Sequence, residues 1–133
     1  MPSDIAKIFL YDEADNILML IRSDTHPKFA GHLDLPGGEV EDGENPEEAI
    51  ERELKEETGL EYQKQTLKLV FEDKPDNRLH LVYVGKAKGV KPMPTLSWEH
   101  SGYNWMTKKQ IIDSPLPEAV DNYYLTALKH LNS

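Results

Sequence analysis

The segment Gly38–Leu60, GEVEDGENPEEAIERELKEETGL, contains ten acidic and two basic residues, which gives it a net charge of −8. The other 110 residues contain 14 acids and 13 bases, so they contribute only −1 to the formal net charge of −9. Most runs of charge are solvated faces of helices. The positions of the acids along this segment therefore distinguish an ordinary surface from a candidate functional site.

The segment predicts a helix that begins after Asn45 and ends near Gly59. Asn45 is a preferred N-cap residue, and Pro46 suits the first helical position. Glu47 favours the positive end of the helix dipole, and Glu48 stands where it would complete a capping box with Asn45. Gly59 fits the left-handed position that ends many helices. Local signals thus predict both ends of the helix.

Three of the acids fall on one side of this predicted helix. At about 100° per residue, Glu53, Glu56 and Glu57 share an arc of roughly 100°. That arc overlaps the arc of Ile50 and Leu54, which are apolar and expected to face the core. Because a merely solvated face would point away from Ile50 and Leu54, we expect the three carboxylates at the edge of the core.

Carboxylates placed this close together raise one another's pKa unless a positive charge lies between them. Arg52, one turn before Glu56, would supply such a charge from within the chain. A bound cation would also supply it, and ligands that are all oxygen favour a hard ion such as Mg²⁺ or Mn²⁺. The spacing by itself leaves a metal site and a structural charge network as alternatives.

Strand and helix patterns occur on both sides of the acidic helix. The predicted strands are Ile5–Tyr11, Ile17–Arg22, His32–Leu35, Thr66–Glu72, Leu79–Lys86 and Asn104–Met106. A turn is expected at Pro75-Asp76-Asn77, and Pro36-Gly37-Gly38 is expected to interrupt regular structure. Two further helices are predicted, Lys108–Asp113 with Thr107 as its cap and about Pro117–Leu131, with one apolar face formed by Val120, Tyr124, Leu128 and Leu131. This order of elements predicts a mixed α/β sandwich.

The composition excludes several classes of protein. A chain of 133 residues suits one domain, expected to span residues 1–133. The absence of Cys excludes disulfides and Cys-ligated metal centres. No apolar run approaches the roughly 20 residues of a membrane helix, and the opening MPSDIAKIFLYD lacks the features of a secretory signal. The negative charge argues against nucleic-acid polymers and membranes as partners, so we expect a cytoplasmic protein.

The fixed positions of the acidic segment resemble a known motif. They are Gly38, five residues, Glu44, seven residues, Arg52-Glu53-Leu54, one residue, Glu56-Glu57, one residue and Gly59-Leu60. This pattern is similar to the Nudix box, the signature of hydrolases that act on nucleoside diphosphates linked to another group. Leu35-Pro36-Gly37-Gly38 precedes the box as it does in that family. The chain thus resembles a minimal, single-domain member with its box at residues 38–60.

The resemblance implies an αβα sandwich around a mixed sheet, with the box as a loop–helix–loop. It also implies Mg²⁺- or Mn²⁺-dependent cleavage of a pyrophosphate bond by attack of water at phosphorus. In the family, the residues matching Glu53, Glu56, Glu57 and the Gly37 carbonyl bind metal, and those matching Arg52 and Glu44 form a supporting ion pair. Some members, including MutT-like ones, add a glutamate six residues before a tryptophan, and Glu99 stands six residues before Trp105.

The substrate is less well defined by the sequence. Candidate contacts are Arg22, Lys28 and Arg78 for phosphates, Asp34, Trp98 and Tyr103 for a base, and the backbone of Gly38, which has no side chain to obstruct a phosphate. Leu33 stands where many members have an aromatic residue, which suggests a difference in packing or base stacking. These residues suit a small-molecule nucleotide substrate.

The small size favours a nucleoside triphosphate, cleaved to a monophosphate and pyrophosphate as in MutT-like members. The main alternative is another nucleoside diphosphate derivative, linked to a sugar or another group as in ADP-ribose. Two other classes are a non-catalytic Nudix module that binds nucleotide and a helix that binds a cation for structure alone. Members that lose catalysis typically lack box glutamates, and this chain retains them all. The sequence does not distinguish a monomer from a homodimer.

Overall fold

A computed structural model describes residues 3–26, 30–74, 77–89, 92–114, 123–129 and 131. Its strands are β1 (Ile5–Tyr11), β2 (Ile17–Arg22), β3 (Leu33–Asp34), β4 (Gly37–Glu39), β5 (Lys68–Asp73), β6 (His80–Lys86) and β7 (His100–Met106). Its helices are α1 (Pro46–Thr58), α2 (Lys108–Ile112) and α3 (Tyr123–Lys129), with a 3₁₀ turn at Lys64–Thr66. No helix in these ranges is long and apolar enough to cross a membrane.

The strands form one mixed sheet. Its order is β3-β2-β1-β6-β5, with β4 paired to β1 and β7 paired to β2. Strands β1 and β6 run parallel in a register from Ile5↔His80 to Tyr11↔Lys86. The other pairs are antiparallel. Because parallel neighbours need a crossover connection, α1 lies between β1 and β6 in the chain and covers one face of the sheet.

Helices cover both faces of the sheet, and the alternation of side chains along β1 divides the core in two. Ala6, Ile8 and Leu10 pack with Ile50 and Leu54 of α1. On the opposite face, the buried side chains come from β1, β2, β3, β6, α2 and α3, and they include Phe9, Met19, Ile111, Ala127 and Leu128. The predicted αβα sandwich with a central mixed sheet is confirmed.

Helix α1 has the ends that the sequence predicts. The side chain of Asn45 accepts from the amide of Glu48 (2.8 Å), and the Glu48 carboxylate accepts from the amide of Asn45 (3.0 Å). Gly59 has φ +72°, in the left-handed region. Thr107 caps α2 with a second capping box, which uses Gln110. In each case the deciding contacts lie within three or four residues of one another.

Other boundaries differ from the prediction. Of the predicted break Pro36-Gly37-Gly38, Pro36 does lie between β3 and β4, but Gly37 and Gly38 belong to β4. A Cβ at Gly37 would overlap the Ala6 carbonyl, so only glycine permits this approach of β4 to β1. Strand β7 begins at His100, four residues before the predicted start, because its pairing with β2 continues to Arg22. Part of the predicted last helix, including Val120, and the turn residues Pro75 and Asp76 lie outside the described residues.

Candidate active site

Arg52 is the centre of an acidic cluster on α1. Its Nε and Nη2 contact both carboxylate oxygens of Glu44, at 2.8 and 3.1 Å. Its Nη1 lies 2.9 Å from Glu53 Oε1 and 3.3 Å from Glu56 Oε2, and its Nη2 also donates to the Glu39 carbonyl at 3.0 Å. The hydrogen bond from Arg52 lowers the pKa of Glu44. One guanidinium thus orients three carboxylates.

Glu57 is an almost fully buried acid, with 3% of its surface exposed. Its Oε1 accepts a hydrogen bond from the Gly37 amide at 2.8 Å. Burial raises the pKa of Glu57 well above its usual value, and the charge of Lys7 and the Gly37 hydrogen bond offset this only in part. The ionised form of Glu57 is therefore costly to bury unless further positive charge approaches it.

Glu53 lies between Arg52 and the backbone of Gly38. Burial raises the pKa of Glu53, and its hydrogen bond from Arg52 opposes that effect. A Cβ at Gly38 would stand 2.9 Å from the Glu53 carboxyl carbon. The glycine therefore leaves the space that this carboxylate occupies.

The three glutamates on the predicted arc differ in exposure. The side chain of Glu56 is 60% exposed, that of Glu53 is 17% exposed, and Glu57 is buried. In the described ranges, no group of three or more His, Asp or Glu side chains converges closely enough to hold a metal ion. The donors present are nonetheless all oxygen, and Glu53 and Glu57 both have a raised pKa that a cation would lower. This donor chemistry fits a hard divalent ion.

A second cluster surrounds Asp34, which is buried at the end of β3. Its Oδ1 lies 3.2 Å from Lys7 Nζ, and its Oδ2 lies 3.1 Å from Arg22 Nε and 3.3 Å from His100 Nε2. Burial favours the neutral form, but the charge of Lys7, the hydrogen bond with His100 and the charge of Arg22 outweigh it and lower the pKa of Asp34. Asp34 is thus a buried anion that holds three neighbours.

Lys7 connects the two clusters. Besides Asp34, its ammonium donates to the carbonyls of Leu35 (3.1 Å) and Gly37 (3.2 Å). The Gly37 amide, in turn, donates to Glu57. Lys7 was not among the predicted site residues, although a single lysine within the apolar strand IAKIFLY is a recognisable signal for a buried charge that needs partners.

The loop before β7 carries Trp98 and Glu99 to the rim of this region. The His26 ring stacks on Trp98, with centroids 6.2 Å apart and planes at 28°, and His26 Nε2 lies 3.7 Å from Glu99 Oε2. Trp98 remains 66% exposed. The amide of Ser97 donates to the Glu57 carbonyl at 3.2 Å. The loop is therefore attached to the last turn of α1, which bears Glu56 and Glu57.

Comparison with known proteins identifies the family. The NUDIX domain family model matches residues 1–128. The chain belongs to the Nudix family. A protein from Methanocaldococcus jannaschii named ADP-ribose pyrophosphatase is 56% identical over 48 residues, which cover 36% of this chain and 28% of that protein. A protein from Proteus vulgaris named 8-oxo-dGTP diphosphatase is 35% identical over 80 residues, which cover 59% of this chain and 70% of that protein.

The solved structures agree with the family assignment. The crystal structure of a MutT protein from Methanosarcina mazei Go1 has a TM-score of 0.73 and 25% identity, and the match covers 96% of this chain and 90% of that one. A MutT structure reported for Aliivibrio salmonicida and Vibrio cholerae has a TM-score of 0.76 at 21% identity, over 97% and 98% of the two chains. These matches extend over nearly the whole described Nudix fold.

The remaining candidate substrate contacts lie in different surroundings. Arg78 Nη2 is 2.6 Å from Glu39 Oε1, and its Nε donates to the Ser3 carbonyl, so its charge is partly engaged at the start of β1. Tyr103 packs against the core on the α1 side, and Leu33 packs in the core on the α3 side. Lys28 lies outside the described residues. Arg22 and Asp34 contact each other, and Gly38 contacts Glu53, as described above.

Proposed function

We propose that this Nudix protein is a divalent-metal-dependent pyrophosphohydrolase. The observation that carries the proposal is the pair of carboxylates, Glu53 and Glu57, held on one side of α1 against the backbone of Gly37 and Gly38. Burial raises the pKa of both acids, so the fold bears a cost that a cation would relieve. A bound cation would add to the compensation that Lys7 and the Gly37 hydrogen bond give Glu57 only in part.

Glu53, Glu56, Glu57 and the Gly37 carbonyl would hold the metal when nucleotide is bound, with Glu99 as an additional candidate on the loop before β7. When bound, Mg²⁺ or Mn²⁺ would neutralise phosphate charge and lower the pKa of water. Arg52 fixes the orientation of Glu53 and Glu56, and its pair with Glu44 fixes Arg52 itself. Glu53 and Glu57 are both candidates to accept the proton of the attacking water, since each is more basic than an exposed glutamate.

For the substrate, we propose a nucleoside triphosphate. Water would attack phosphorus, the bridging P–O bond would break, and the products would be a nucleoside monophosphate and pyrophosphate. The relative from Proteus vulgaris, named for a nucleotide of this kind, supports the proposal. The exposed Trp98, stacked by His26, would offer one face to the base, and Arg22 would contribute positive charge near the phosphates.

The second candidate substrate is a nucleoside diphosphate linked to a sugar. The relative from Methanocaldococcus jannaschii, named for ADP-ribose, favours it through 56% identity over 48 residues. Because that match covers only 36% of this chain and 28% of the relative, it does not identify the substrate of this chain. Products separate the two candidates, because the first releases pyrophosphate and the second releases two monophosphates.

The test is a panel of nucleoside triphosphates, including oxidised bases, and ADP-ribose, assayed with Mg²⁺, with Mn²⁺ and with EDTA. We expect turnover only with metal, and we expect Glu57→Gln to reduce it by orders of magnitude. Glu51→Gln is the matched control, because Glu51 is on the same helix and pairs at the surface with Lys64. Release of neither product from any substrate, with the metals present, would overturn the proposal. As part of the same proposal, we expect the chain to act as a single domain, in the cytoplasm, on a small-molecule nucleotide.

A further inference from the structure

Lys7 is a buried cation whose ammonium contacts the Gly37 carbonyl, one of the candidate metal ligands. Its side chain is 7% exposed, and lysine is rarely buried to this degree without partners. Its neighbours along β1, Ala6 and Ile8, face the opposite side of the sheet, toward α1. The antiparallel register of β1 and β4 sets Lys7 directly opposite Gly37, so the backbone pairing itself brings the ammonium to this glycine.

The ammonium has a set of three oxygen acceptors. They are Asp34 Oδ1 at 3.2 Å, the Leu35 carbonyl at 3.1 Å and the Gly37 carbonyl at 3.2 Å. One carboxylate and two carbonyls are also oxygen donors of the kind that hard metal ions prefer. In this chain, the three donors are directed at a side-chain cation.

The charge of Lys7 acts on the box glutamates as well. It lowers the pKa of Glu57 and of Glu53, in both cases against the larger, opposing effect of burial. Asp34 is also held by Arg22 and His100, so it is not neutralised by Lys7 alone. The ammonium therefore partly performs, for two acids, the electrostatic role that a bound cation would perform.

We propose that Lys7 acts as a built-in cation at the Gly37 carbonyl and weakens the binding of a divalent ion at that position. The inference rests on the proposed function, since it concerns the metals that the hydrolase would use. An ammonium and a divalent ion that share the Gly37 oxygen repel each other, and the low dielectric of a buried site strengthens this repulsion. Lys7 is thus a positioning residue that limits how many divalent ions the nucleotide-free protein holds tightly.

The test measures Mn²⁺ binding to the nucleotide-free, full chain by calorimetry and by electron paramagnetic resonance. Lys7→Gln removes the charge. We expect this variant to bind one more Mn²⁺ than the natural protein, or to bind Mn²⁺ with an affinity at least about tenfold higher. Lys7→Arg, the matched control, retains the charge and should resemble the natural protein. Equal stoichiometry and equal affinity in the natural protein and Lys7→Gln would overturn the proposal.

A measurement on the unaltered protein tests the same proposal even if Lys7→Gln does not fold. In nucleotide-free crystals soaked with MnCl₂, anomalous scattering is expected to show Mn²⁺ at Glu53 or Glu57 while the Lys7 ammonium keeps its hydrogen bond to the Gly37 carbonyl. A Mn²⁺ ion coordinated by the Gly37 carbonyl, with Lys7 displaced, would overturn the inference. The proposed function fails separately, on the substrate panel: a protein that binds Mn²⁺ as expected but cleaves nothing would contradict the hydrolase and leave the role of Lys7 standing.

Discussion

The carboxyl group of Glu53 occupies the space beside Gly38 that a side chain would need, since a Cβ at position 38 would lie 2.9 Å from the Glu53 carboxyl carbon. The neighbouring Arg52 donates to the same carboxylate at 2.9 Å. Glu53 is therefore held between a backbone surface on one side and a guanidinium on the other. Its position depends on the absence of a side chain at residue 38.

The first prediction concerns this missing side chain. Gly38→Ala should displace the Glu53 carboxylate and reduce kcat/KM by about 10- to 100-fold, since small displacements of catalytic groups are costly. Gly102→Ala is the control, because a Cβ there would make an ordinary contact of 3.5 Å with Ile21. Steady-state kinetics of both variants checks the prediction. Equal losses in the two variants would mean that the effect does not arise at Glu53.

The second prediction concerns Glu57 and the metal-free protein. Because burial raises its pKa in the folded state, Glu57 binds a proton more readily when folded than when unfolded. Its ionisation therefore destabilises the fold increasingly as the pH rises above the ordinary glutamate value. Glu57→Gln removes this cost and should raise Tm in EDTA by a few degrees at pH 8, with a smaller gain near pH 4.

Thermal unfolding of Glu57→Gln across this pH range, with Glu51→Gln as a surface control, measures the effect. A lower Tm for Glu57→Gln than for the natural protein at pH 8 would contradict the interpretation that burial of the ionised Glu57 destabilises the fold. The same variant should lose hydrolysis, so stability and activity are expected to change in opposite directions.

The third prediction concerns the shape of the Arg52 side chain. Its Nε and Nη2 engage both oxygens of Glu44 while its Nη1 reaches Glu53 and Glu56, an arrangement that needs a planar fork. Arg52→Lys retains the charge but loses the fork, and we expect kcat or metal affinity to fall about 10- to 100-fold. Lys55→Arg, on the exposed face, should change neither. Wild-type Mn²⁺ affinity and turnover in Arg52→Lys would show that charge alone suffices.

The parts of this molecule that the sequence predicts well are those determined by near neighbours. The cap formed by Asn45 and Glu48 and the end of α1 at Gly59 involve contacts within a few residues, and both were predicted. Strand β4 was not predicted, because it depends on the pairing of Gly37 with Lys7 of β1, and these two residues lie 30 positions apart in the chain. Helical spacing correctly places Glu56 on the same side of α1 as Glu53 and Glu57. The exposure of Glu56 depends on how other elements pack against α1, which helical spacing does not predict.

The fourth prediction concerns the buried anion Asp34. Its pKa is lowered in the folded state, so its ionised form stabilises the fold above the ordinary aspartate value, and this contribution is lost as the pH falls through the folded value. Asp34→Asn removes the negative charge that contacts both Lys7 and Arg22, and we expect a loss of about 3–5 kcal/mol at pH 7. The deficit relative to the natural protein should shrink in acid.

Urea denaturation at pH 7 and pH 3 measures the deficit. Asp113→Asn is the control, since its carboxylate is exposed and pairs with Lys109 one turn earlier on α2, which predicts a change below about 0.5 kcal/mol. A deficit for Asp34→Asn that is as large at pH 3 as at pH 7 would point to altered packing and not to the lost charge.

The fifth prediction concerns Trp98, which is 66% exposed and stacked on one face by His26. If its other surface receives the nucleotide base, Trp98→Ala should raise KM about 3- to 10-fold, the usual contribution of an aromatic stack, with kcat nearly unchanged. Met93→Ala, which truncates another exposed apolar side chain, should alter neither constant. Because the Trp98 loop is bonded to the Glu57 carbonyl through Ser97, a fall in kcat with an unchanged KM would assign Trp98 to the support of α1 and not to the base.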